Sequence, residues 1–155
     1  MPRTPADNDL HESRQERAIE DLLVDYPYLI ASHLTRPKRQ YYLNDTDRID
    51  LFFKAGDEVW IAEIKAQTCT VACVRQLMRY VQHLLPAHPV VRGLLIGPGI
   101  NSAASKLLQA GPYDLRFLKL DEDVPRKIVV CRDCRKAYAA RLDVCPDCRT
   151  SQVIY

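Results

Sequence analysis

Three charged side chains stand where apolar ones would be expected. Asp50 lies in the run Arg48-Ile-Asp-Leu-Phe-Phe53, and Glu63 and Lys65 lie in Glu58-Val-Trp-Ile-Ala-Glu-Ile-Lys65. Both runs read as strands, hinged at Ala55-Gly-Asp57 as a hairpin. A buried charge is costly, so each of these three needs a partner or a task. Strand alternation puts Glu63 and Lys65 on one face and Trp60, Ala62 and Ile64 on the other. If the hairpin pairs the two runs, Asp50 lies beside Glu63. Two adjacent carboxylates repel unless a cation sits between them, and oxygen ligands favour Mg2+ or Mn2+. Such an ion can polarise a phosphoryl oxygen and lower the pKa of a bound water. Lys65 would then orient that water or balance charge developing on the phosphate.

Val71 to Leu85 reads as a helix with an apolar stripe of Val74, Leu77, Met78, Val81, Leu84 and Leu85. Gln76 and Tyr80 are four apart and share a helical face, expected to lie well away from that stripe. An amide and a phenol presented together beside a metal site are more informative than either alone.

In its order and spacing, the series Asp50, Glu63-x-Lys65, Gln76-Leu-Met-Arg-Tyr80 resembles the PD-(D/E)xK nuclease superfamily. It is most similar to the catalytic domain of NucS-type (EndoMS) endonucleases, over about residues 14–120. The resemblance implies an α/β, restriction-endonuclease-like mixed β-sheet flanked by helices, and hydrolysis of DNA phosphodiesters with Mg2+ or Mn2+. By that likeness Asp50, Glu63 and the backbone carbonyl of Ile64 hold the ion, and Lys65 orients the nucleophile. Gln76 and Tyr80 position the scissile phosphate or nearby waters. A first-helix glutamate completes the family's site, and Glu16-Arg-Ala-Ile-Glu20 offers two candidates, of which Glu16 is favoured. Set against that family, the expectation is a chain without the separate N-terminal DNA-binding domain and with an added cysteine-rich tail. These departures bear on mismatch preference rather than on cleavage, and the likeness is compatible with a homodimer. Two alternatives stand beside it. One is a non-catalytic DNA-binding or protein-docking module on a nuclease scaffold. The other is a nuclease for Holliday junctions or a restriction target.

The tail carries Cys131-Arg-Asp-Cys134 and Cys145-Pro-Asp-Cys148, a pattern of two C-x2-C knuckles ten residues apart. Four thiolates suit tetrahedral Zn2+ and leave no open position for substrate, so the expected role is structural. A unit of about thirty residues cannot build a core unaided, and the metal would hold it together. Arg132, Arg135, Lys136 and Arg141 make this expected zinc ribbon basic, for DNA phosphate contact or as a solvated or protein-docking face. Arg36, Lys38, Arg39, Arg75 and Arg79 are further candidates for holding a DNA backbone. Cys69 and Cys73 complete no ligand set and read as small buried hydrophobes.

The elements that must position these groups follow from the rest of the sequence. Residues 1–12 read as disordered, Ser13 to about Val24 as a helix stopped by Asp25-Tyr26-Pro27, and Tyr28 to Leu34 as a short helical segment. Strands are expected at Gln40–Leu43, Val90–Ile96 and Leu115–Leu120, with a helix capped by Asn101 and ending near Ala110. The expected organisation is a nuclease domain over 13–120, a linker over 121–126 and the ribbon over 127–155, with strands at Ile128–Val130 and Ser151–Tyr155. At 47% hydrophobic content, the 155 residues can bury a core. The net charge of +2 is unevenly spread. Residues 126–155 hold seven Lys/Arg against three Asp, a balance of +4 that leaves the remainder near −2. No run approaches the roughly eighteen apolar residues of a membrane span, and the polar first residues lack a signal-peptide core. The expected location is cytoplasmic, at the nucleoid when acting on DNA, with the cysteines as thiols or metal ligands.

Overall fold

A computed structural model describes residue 2 and residues 4–151 of the chain. The order is helix α1 (Pro5–Asp25), a 3-10 turn (Pro27–Leu29), strands β1 (Lys38–Tyr42), β2 (Arg48–Ala55) and β3 (Glu58–Ile64), and helix α2 (Val71–Leu84). Strand β4 (Val90–Gly97), helix α3 (Ser102–Ala110) and strand β5 (Asp114–Lys119) complete a five-stranded sheet ordered β1-β2-β3-β4-β5. Its first three strands are antiparallel and its last three parallel, so the sheet is mixed. Strands β6 (Ile128–Val130) and β7 (Ala137–Ala139) form a separate antiparallel pair.

The sheet is covered on both faces. Ile19, Leu23 and Val24 of α1 pack with Leu51, Phe53, Trp60, Ala62, Ile64 and Ile96 on one side. Val74, Leu77, Val81 and Leu84 of α2, with Ala104 and Leu108 of α3, pack with Val59, Ile61 and Leu95 on the other. The period-2 pattern of β3 is thus read out as expected, with Trp60, Ala62 and Ile64 facing α1. Asn101 caps α3 by accepting from the Ala104 N–H at 2.8 Å.

Gly93 lets α2 lie close on β4. A Cβ there would sit 2.6 Å from Leu115 Cδ2 and 3.2 Å from both Leu77 Cγ and Val81 Cγ2. Overpacking of this kind costs about 1–3 kcal/mol. Gly93→Ala is expected to lower the thermal midpoint by several degrees, as followed by circular dichroism.

Several boundaries differ from the sequence expectation. Helix α1 begins at Pro5, not Ser13, so much of the stretch expected to be disordered is helical. Proline suits a first helical turn, where its missing N–H costs no hydrogen bond. Tyr28 to Leu34 is not a second helix; one 3-10 turn ends at Leu29. The second tail strand is Ala137–Ala139, while the expected strand at Ser151–Tyr155 lies largely outside the described residues. Residues 121–126, expected as a linker, are hydrogen-bonded back to the end of β5. Asp123 Oδ2 accepts from the Lys119 N–H at 2.8 Å, and Val124 is fully buried in the core on the α1 side.

Candidate active site

The β2–β3 ladder is regular from Ala55↔Glu58 to Leu51↔Ala62 and then opens at Asp50. Beyond that rung the carboxylates replace the ladder. The Ile64 N–H donates to Asp50 Oδ2 at 2.9 Å, and the Asp50 N–H donates to Glu63 Oε1 at 3.2 Å. Each acid therefore satisfies a backbone donor on the other strand, which locks the two side chains side by side.

A matching irregularity lies on the neighbouring strand. Ile49 packs on the α2 side whereas Leu51 packs on the α1 side, so β2 changes face at Asp50. Across the β1–β2 ladder the flanking pairs are Arg39↔Leu51 and Tyr41↔Ile49, which puts Gln40 opposite Asp50. Gln40 has φ +48°, a left-handed value that non-glycine residues seldom adopt. Tyr41 stacks on Phe52 with ring centroids 4.2 Å apart, while Arg39 reaches α1. Both strands thus turn over at the same rung.

Around this opening the sequence-selected side chains converge. Lys65 Nζ lies 3.8 Å from Glu63 Oε2 and donates to Gln76 Oε1 at 3.1 Å. Glu16, from α1, accepts from the Ala66 N–H at 3.1 Å and so borders the same group. Glu20 is placed differently. It accepts from Arg39 Nε and from Gln40 Nε2, each at 2.8 Å, and is buried. Tyr80 corrects the helical-face expectation, because its ring is buried within the α2-side core. Its hydroxyl still reaches toward Gln76 and Glu63, and burial raises its pKa.

The electrostatics follow from burial. Glu63 is 3% exposed. Loss of solvent, with the Asp50 carboxylate beside it, pushes its pKa up to about 8 despite Lys65. Asp50 and Glu16 are raised as well, each mainly by burial. Three acids held above their ordinary range, with one ammonium among them, form a site whose negative charge is under-compensated. A divalent cation would relieve that strain, and the donors are the oxygens such an ion takes. Asp50 and Glu63, side by side, could hold such an ion.

Beside Asp50 a cavity of about 300 Å³ is lined by Glu16, Arg17, Glu20, Gln40 and Arg48. Arg17, Gln40 and Arg48 escaped the sequence reading, since nothing in their local pattern marks them. The basic candidates are scattered. Arg36, Lys38, Arg75, Arg132, Arg135 and Arg141 are exposed. Arg39 is ion-paired with Glu20 and Asp21, Arg79 with Asp47 at 2.9 Å, and Lys136 with Asp147 at 3.7 Å.

In the tail the four sulfurs of Cys131, Cys134, Cys145 and Cys148 all lie within 4.8 Å of one another. Each knuckle closes in the same way. Arg135 N–H bonds Cys131 O, and Arg149 N–H bonds Cys145 O, with both arginines at positive φ. This group could hold a metal ion. Cys69 is fully buried in the core and its thiol is pushed up to about 12 by burial. Cys73 packs partly buried against that core.

Residues 15–137 match the family described as the endonuclease NucS C-terminal domain. The chain is 30% identical over 95 residues to an endonuclease NucS of Sulfurisphaera tokodaii, covering 61% of this chain and 37% of that protein. It is 28% identical over 109 residues to an endonuclease NucS of Methanocaldococcus jannaschii, covering 68% of this chain and 40% of that protein. The chain thus spans about two fifths of the length of these relatives. Among solved structures, it superposes on an EndoMS–double-stranded DNA complex with TM-score 0.59 at 26% identity, covering 67% of this chain and 44% of that one. It also superposes on a repair endonuclease from Pyrococcus abyssi with TM-score 0.59 at 25% identity, covering 67% and 46%.

Proposed function

The chain belongs to the endonuclease NucS C-terminal domain family, and on that premise we propose that it is a PD-(D/E)xK-type endonuclease hydrolysing DNA phosphodiesters with Mg2+ or Mn2+. The nuclease domain spans 13–120, and the biological setting is DNA repair or the processing of non-standard DNA structures inside the cell. The observation that carries this reading is the convergence of Glu16, Asp50, Glu63, Lys65 and Gln76, from α1, β2, the end of β3 and α2, on the rung where β2 and β3 part.

When bound, the cation supplies positive charge that offsets the phosphate and acidifies water. Asp50, Glu63 and the Ile64 carbonyl would hold it, with Glu16 assisting. Lys65, fixed by Gln76 and balanced by Glu63, orients the attacking water and stabilises charge growing on the phosphoryl oxygens. Gln76, bonded to that ammonium, and the Tyr80 hydroxyl position the scissile phosphate or nearby waters. DNA is the partner class, consistent with the DNA-bound EndoMS structure on which the chain superposes.

A cleavage panel tests the reading: single-stranded, mismatched, flapped and four-way DNA, with an RNA control, each with Mg2+, Mn2+ or a chelator. Metal-dependent cutting of at least one DNA form, with RNA spared, is expected. Binding without cutting of any form would favour a non-catalytic module instead.

The four-cysteine unit over 127–155 we read as a zinc ribbon whose exposed arginines contact DNA phosphates. Cys145 is fully buried, so Cys145→Ser should abolish tetrahedral metal binding. Elemental analysis should show zinc falling from one equivalent to none. The main thermal transition should persist, because neither face of the five-stranded sheet relies on the ribbon for its core.

A further inference from the structure

We propose that Gln40 is a positioning residue for metal binding, one that fixes the Asp50 carboxylate in the rung where β2 leaves β3; this rests on the nuclease reading above. Three observations support it independently of the family likeness. Gln40 stands opposite Asp50 in the β1–β2 register. Its φ of +48° is a left-handed value that strains a non-glycine residue, and such strain persists where the surroundings impose it. Its amide is the far end of a relay: Asp21 and Glu20 hold the Arg39 guanidinium, and Glu20 Oε2 accepts from Gln40 Nε2 at 2.8 Å. The same amide lines, with Glu20, the cavity onto which Asp50 opens.

The physical consequence is specific. Ile64 N–H holds Oδ2 of Asp50, and the Gln40 amide, tied to Glu20, lines the same cavity as that carboxylate, so it limits the room in which Asp50 can turn. Glu20 itself is ion-paired with Arg39 and accepts from Gln40, so it serves as an anchor for Gln40 and not as a ligand. This also accounts for the division of labour between the two first-helix glutamates. Glu16 faces Ala66, and Glu20 supports Asp50 through the amide. Loss of a group that orients a metal ligand lowers metal affinity by about ten- to a hundredfold.

The test uses the full zinc-loaded chain, titrated calorimetrically with Mn2+ alone, in wild type, Gln40→Ala, Gln40→Gly and the control Glu63→Ala. Glycine accepts positive φ without penalty whereas alanine does not, so Gln40→Gly should melt higher than Gln40→Ala. Both should nonetheless bind Mn2+ about ten- to a hundredfold more weakly than wild type. That result, equal losses of affinity at unequal stability, supports the positioning role. Unchanged affinity in either variant would overturn it. So would affinity that tracks the melting temperature, since Gln40 would then merely shape the strand. If wild type and Glu63→Ala bind Mn2+ alike, it is the nuclease site itself that is refuted.

Discussion

Lys65→Ala is expected to reduce Mg2+-dependent plasmid nicking by about a hundred- to a thousandfold, the range seen when one preorganised electrostatic group is removed from a transition state. The geometry makes the effect specific to chemistry. Lys65 is half-buried, bonded to Gln76 Oε1 and 3.8 Å from Glu63, and it packs no part of either core. Its loss should leave the circular dichroism spectrum unchanged. Glu63→Gln should be equally inactive for a different reason. The amide still accepts from the Asp50 N–H but no longer supplies a negative ligand. In the metal-free protein at alkaline pH this variant should melt above wild type, because it removes a buried charge. Full nicking activity in either purified variant would exclude the proposed site.

The second large effect concerns pH. Glu63 has an ordinary value of 4.5 and stands at about 8 in the fold. A carboxyl raised in this way binds its proton more tightly when folded than when unfolded. Its contribution to stability is complete below about 4.5 and is lost as pH rises through about 8. Asp50 and Glu16 are displaced in the same direction and add to the trend. The surface acids Asp47 and Glu58, lowered by Arg79 and Arg92, act oppositely but only at acidic pH. Metal-free protein should therefore lose on the order of a few kcal/mol between about pH 5 and pH 9. Saturating Mn2+ at the alkaline end should restore much of it, since the ion binds the ionised acids of the folded state. Glu63→Gln should flatten the profile. Thermal melts across the pH series, with and without Mn2+, measure all three.

The legible part of the site was what local pattern could mark. Asp50, Glu63 and Lys65 stood out because charges interrupted apolar alternation, and the cysteines because chelation requires close pairs. The mixed sheet was what the family resemblance implied, and the Asn101 cap followed from its side chain. What escaped depended on contacts between distant elements. Gln40 is unremarkable in sequence, and its positive φ arises only because β1 must follow the turn-over of β2 at Asp50. Arg39 read as a phosphate contact until Glu20, nineteen residues away, claimed it. Tyr80 looked polar by its hydroxyl, yet an aromatic ring has enough apolar surface to be buried while its oxygen reaches the site.

The most direct measurement is anomalous scattering from crystals of the full chain grown with Mn2+. The account predicts a Mn2+ peak between the Asp50 and Glu63 carboxylates, beside the Ile64 carbonyl, that disappears in Glu63→Ala. Saturating Mn2+ with no peak at that rung, or with peaks confined to the turn acids Asp45 and Asp57, would contradict it.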